Sequence, residues 1–85
     1  MNNKTRLIVN TALQEIDNGT ALQLRVKYED RPALQEITAT KKHLRKPIYT
    51  RRILPLSGDH SNVLKTEHLL SKAQIRHHLI NWLNS

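Results

Sequence analysis

The sequence predicts an α+β domain: a three-stranded antiparallel sheet packed by one or two helices, in the order α-β-β-β-α. Three observations carry that expectation. A stretch near residue 25 alternates strictly between apolar and polar residues. Apolar residues at helical spacing precede it and recur at the C-terminal end. Pro and Gly fall between these segments, at Gly19, Pro32, Pro47, Pro55 and Gly58, where a chain changes direction.

The first helix is expected from Lys4 to Asp17. Val9, Ala12, Leu13 and Ile16 recur on one helical face, with Ile8 beside them. Asn18-Gly19 stops it, because glycine takes the left-handed cap conformation at little steric cost. Leu7-Ile8-Val9 offers a competing strand over Arg6–Asn10. In Leu22–Glu29 the period of two sends Leu22, Leu24, Val26 and Tyr28 to the core. It sends Gln23, Arg25, Lys27 and Glu29 to water.

Glu29-Asp30-Arg31-Pro32 predicts a turn into a second strand over about residues 33–42. Ile37 and Ala39 would face inward and Thr38, Thr40 and Lys42 outward, sharing a surface with Arg25 and Lys27. Ile48–Leu54, rich in β-favouring residues, is the third strand, ended by Pro55 and Ser57-Gly58-Asp59. Ser71-Lys72-Ala73-Gln74 fits a capping box opening a final helix with Ile75, Leu79 and Leu83 inward, flanked by Ile80 and Trp82. A preceding turn of helix is expected over Thr66–Leu70. The pentapeptide Ala12-Leu13-Gln14-Glu15-Ile16 recurs as Ala33-Leu34-Gln35-Glu36-Ile37. The match does not extend further in phase, so the two copies predict different structures rather than a repeat.

Eighty-five residues make one small domain, 1–85, with little material for the walls of a deep cleft. The absence of Cys excludes disulfide staples, thiolate metal sites and a cysteine nucleophile. With no Phe, one Trp and two Tyr, the core must be mainly aliphatic. The polar start Met1–Arg6 and the short apolar run Leu7–Val9 do not resemble a secretory leader, and no window reaches the length of a membrane span. A cytoplasmic location and no membrane partner are the expectation.

The net charge of +7 is unevenly placed. Residues 1–36 balance five bases with five acids, whereas residues 37–58 hold six bases and no acid. Those six are Lys41, Lys42, Arg45, Lys46, Arg51 and Arg52. Charge gathered in this way produces a local potential that attracts polyanions. The leading expectation is therefore a non-enzymatic nucleic-acid-binding or regulatory module. The six bases would hold phosphates, Tyr49 would offer one stacking face, and Arg25 and Lys27 would extend the surface onto the sheet. Sequence does not distinguish DNA from RNA. The alternative partner is a protein with an acidic surface, which the chain would bind as a small inhibitor or adaptor.

Other chemistry has weaker support. Lys72, Arg76, His77 and Asn81 lie off the apolar stripe of the last helix, which packs as a core element with a polar back rather than as a groove reader. His77 and His78 diverge by about 100° on a helix, and no histidine pair has metal-binding i,i+4 spacing. No metal or cofactor is expected. The one enzyme alternative is a metal-independent ribonuclease using His43 or His60 as base. An open strand edge near residues 48–54 offers a route to a homodimer.

Overall fold

A computed structural model of the chain describes residues 2–40, 47–56 and 62–85. The element order is α1 (Asn3–Asp17), β1 (Leu22–Tyr28), β2 (Arg31–Thr40), β3 (Ile48–Pro55), β4 (Lys65–Leu70) and α2 (Lys72–Leu83). The fold is α+β, with an antiparallel sheet of four strands in the order β1-β2-β3-β4. The expected three-stranded sheet is thus short by one strand, and the order is α-β-β-β-β-α.

The helices form where the caps say they should. Asn2 caps α1, its side-chain oxygen accepting from the Thr5 amide at 2.8 Å. At the other end Gly19, at φ 101°, lets the Gly19 and Thr20 amides donate to the Ile16 and Glu15 carbonyls. That pair of bonds satisfies carbonyls the helix would otherwise leave open. The strand that competes for Arg6–Asn10 does not form. Ser71 and Gln74 complete the capping box of α2, with bonds of 3.2 and 2.8 Å.

β1 and β2 form a hairpin with a two-residue loop, Glu29-Asp30, both at positive φ (50° and 63°). This is the backbone twist that suits a tight hairpin. Pro32 therefore belongs to β2 rather than to the turn. It lies opposite Lys27, the pair next to the loop-closing pair Tyr28 and Arg31. In such a hairpin that position exchanges no ladder bonds, so the missing proline N–H leaves no gap.

β4 replaces the turn of helix expected over Thr66–Leu70. Its alternation is hard to see because the residue facing the helices, Glu67, is charged; it lies opposite Arg51 and pairs with it. A register shift between Tyr49 and Arg51, with Leu69 at φ 59°, then returns Leu70 to the core. β4 covers β3, so the edge expected to be open at 48–54 is internal, and the sheet's edges are β1 and β4.

Both helices lie on one face of the sheet. Val9, Leu13 and Ile16 of α1 and Ile75 and Leu79 of α2 pack with Ile37, Tyr49 and Leu70 from the strands in one buried cluster. The repeated pentapeptide illustrates the two periods. In α1 it buries Leu13 and Ile16, three apart; in β2 it turns Ala33, Gln35 and Ile37 to the helices. Among the described residues no helix is long and apolar enough to cross a membrane.

Replacing the cap hydroxyl should weaken α2 without touching its packing. Ser71→Ala should cost about 1 kcal/mol of unfolding free energy, read as a lower urea midpoint at unchanged slope. An unaltered midpoint would mean that the cap contributes nothing.

Candidate functional site

The pleat divides the sheet into a face covered by helices and an open face. On the face that no helix covers β1 presents Gln23, Arg25 and Lys27, β2 presents Leu34, Glu36, Thr38 and Thr40, β3 presents Thr50, Arg52 and Leu54, and β4 presents Thr66 and His68; Glu36 and Leu54 are nonetheless buried. Arg25, Lys27, Thr38 and Thr40 do share one surface, as the alternation predicts. Arg25 and Lys27 are exposed, and neither has a carboxylate partner among the described residues.

The two mid-chain arginines behave differently. Glu36 stands between Gln23 and Arg52 in the same row of the sheet. Its carboxylate accepts from Arg52 Nε at 3.0 Å and from Gln23 Nε2 at 3.1 Å, and Arg52 Nη2 also reaches it. Arg52 is therefore on the expected surface, with its charge partly compensated. Arg51, one residue earlier, must point the other way. Its guanidinium lies beneath the helices, donating to Gln35 and Glu67, with its side chain only 17% exposed. Of the two arginines expected to hold phosphates, the register thus brings Arg52 to the face shared with Arg25 and Lys27 and turns Arg51 away from it.

Tyr49 is corrected as well. Its ring is fully buried, facing the helices opposite Ala39 and Leu70, and is no stacking platform. Its hydroxyl donates to Asp17 Oδ1 at 2.6 Å, while Lys72 Nζ donates to Asp17 Oδ2 at 2.9 Å. One carboxylate thus ties the end of α1 to the sheet and to the start of α2. Lys41, Lys42, Arg45 and Lys46 lie outside the described residues.

The chain matches no family model, no curated protein and no solved structure.

A second group lies on the covered face and was missed by charge counting. Gln35, Arg51 and Glu67 occupy positions that point toward the helices, and His78 of α2 approaches Glu67 at 3.9 Å. Gln35 is 2% exposed. The available signal was the alternation Ala33-Gln35-Ile37, which sends an amide inward between two apolar residues. Burial, and then the Arg51 charge, hold His78 below its ordinary pKa against the opposing pull of Glu67, favouring neutral imidazole at pH 7. Among the described residues no group of three or more His, Asp or Glu side chains is placed to hold a metal ion.

Asp17 experiences opposing effects. Burial pushes its pKa up, but the hydrogen bonds from Tyr49 and Lys72 and the Lys72 charge outweigh it, and the group ends below its ordinary value of 3.8. For Tyr49, burial first and then the bond to Asp17 push the phenol well above its ordinary range.

Two substitutions test these contacts. Glu67→Gln leaves Arg51 partly buried without its anion and should cost about 1–3 kcal/mol, between the limits for exposed and buried pairs; urea unfolding measures it. Tyr49→Phe should cost about 1–2 kcal/mol at neutral pH. A depressed carboxylate stabilises the fold above its unfolded pKa, and that contribution is lost as pH falls through the folded value. Tyr49→Phe should therefore also reduce the loss of stability below the ordinary Asp17 value of 3.8. An unchanged acid-side profile would show that the bond does not set the Asp17 titration.

Proposed function

We propose that this chain is a non-enzymatic nucleic-acid-binding module whose open sheet face lies along a phosphate backbone. The single observation carrying the proposal is the placement of Arg25 and Lys27: exposed, uncompensated among the described residues, and on a face that no helix covers. Arg52 adds a partly neutralised cation to the same face, and Thr38, Thr50 and Thr66 supply hydroxyls suited to phosphate oxygens. By sequence, Lys41, Lys42, Arg45 and Lys46 add four bases to the connection that follows β2. Arg51 and Tyr49 take no part. Binding of this kind releases counterions and so weakens steeply with salt.

Fluorescence anisotropy with a labelled oligonucleotide, between about 50 and 200 mM salt, tests the proposal. Affinity should fall with salt, and the double variant Arg25→Ala, Lys27→Ala should bind more weakly with a log–log slope shallower by about 1.4–1.8. Absence of binding at the lowest salt would remove the proposal.

A second reading, an adaptor or inhibitor docked on an acidic protein surface, is favoured by Leu69. This leucine is 69% exposed and held at φ 59° on the β4 edge. With Thr40, Ile48 and His68 it lines a cavity of about 390 Å³. An exposed apolar anchor suits a protein partner better than a phosphate backbone. Under that reading the Arg25 and Lys27 variant loses binding to one acidic protein, and oligonucleotides bind only feebly.

A further inference from the structure

The space between the sheet and the C-terminal half of α2 sets polar side chains beside apolar ones such as Val26 and Ile53. Gln35 and Arg51 face it from the middle strands, and His78 and Asn81 face it from α2. These residues depart from the apolar pattern that the rest of the core follows, which is where function is to be sought. They border a cavity of about 460 Å³, within the range of small-ligand sites. Gln35 Oε1 accepts from Arg51 Nε, which leaves its Nε2 an uncommitted donor among the described residues.

Two aromatic side chains, Tyr28 and Trp82, complete the lining. Trp82 is fixed: its indole Nε1 donates to the Arg25 carbonyl at 2.7 Å, across the open edge of β1. The same indole borders an apolar cavity of about 260 Å³ with Leu22, Leu24 and Leu79, so it stands between the two cavities. Lys27, whose strand position faces the open side, also lines the larger cavity. The cavity is therefore continuous with the surface assigned to phosphates, around the β1 edge.

We propose that this cavity receives one unpaired nucleobase, with its plane against Tyr28 and Trp82 and its polar edge on Gln35 and Asn81, so that the nucleic acid bound is single-stranded. The inference rests on the reading of the open face as a phosphate-binding surface and names its substrate class. A strand crossing the β1 edge keeps its phosphates at Arg25 and Lys27 while one base turns under α2. A duplex reaches the cavity only by extruding a base, at the cost of unstacking and unpairing it. Stacking tolerates any base, so little sequence preference is expected.

Trp82 is the only tryptophan, so intrinsic fluorescence reports on the cavity directly. The probes are a short mixed-sequence single strand, its duplex and a nucleoside monophosphate, each followed by fluorescence and the two oligonucleotides also by anisotropy. The single strand should change Trp82 emission saturably and bind about tenfold or more tighter than the duplex. Asn81→Leu, at an exposed position, should fill the cavity and remove about tenfold of single-strand affinity with duplex binding unchanged. A second variant, Tyr28→Ala, should do the same, and unaltered urea midpoints show that either variant is folded. Equal binding of single strand and duplex with unmoved emission overturns the inference and leaves the open-face reading standing. No oligonucleotide binding, together with a monophosphate response abolished by Asn81→Leu, supports the cavity and removes the open-face reading. Silence of all three probes overturns both.

Discussion

Neighbouring side chains on a strand must leave by opposite faces, and on β3 this pleat decides what the protein presents to its surroundings. Tyr49, Arg51 and Ile53 go under the helices; Thr50 and Arg52 go to the open side. The one constraint separates two adjacent arginines into different roles. Arg51 becomes part of a partly buried polar group with Gln35 and Glu67, and Arg52 pairs with Glu36 on the surface. It also sinks Tyr49 into the core, where its hydroxyl meets Asp17 and links both helices to the sheet. A charge-dense stretch of sequence is thus converted into two faces with distinct chemistry.

Local signals in the sequence were strong where one residue type has one physical purpose. Asn18-Gly19 and the Ser71–Gln74 box marked helix ends, and the alternation Leu22–Tyr28 marked a strand with the correct face inward. The duplicated pentapeptide was legible as two structures because its flanks differ: a helical stripe and a glycine stop around one copy, a turn and outward threonines around the other. β4 was not legible. Its inward position is a glutamate that only a partner arginine on the next strand makes tolerable, and its last inward residue, Leu70, returns through a register shift. Pairing between strands decides such a segment, and a single strand's pattern does not contain it.

The site was half legible for a related reason. Arg25 and Lys27 could be assigned to a surface because their strand has a clean period of two. Counting bases along residues 41–52 could not say which cations find carboxylates, since Glu36 and Glu67 come from other strands. The same counting treated the lone aromatic in a basic stretch as a stacking face, whereas the fold buries Tyr49 in the core. The aromatic residues that border an open cavity, Tyr28 and Trp82, lie far apart in sequence and meet only through the fold.

The proposed contact with a polyanion lies on the open face and around the β1 edge, away from α1. An amide chemical-shift titration of the isotope-labelled protein with a short single-stranded oligonucleotide tests it most directly. Shifts should concentrate at Arg25, Lys27 and Thr38 and at the Trp82 indole, with α1 unmoved. Shifts confined to the exposed sides of α1 and α2, with β1 silent, would contradict it.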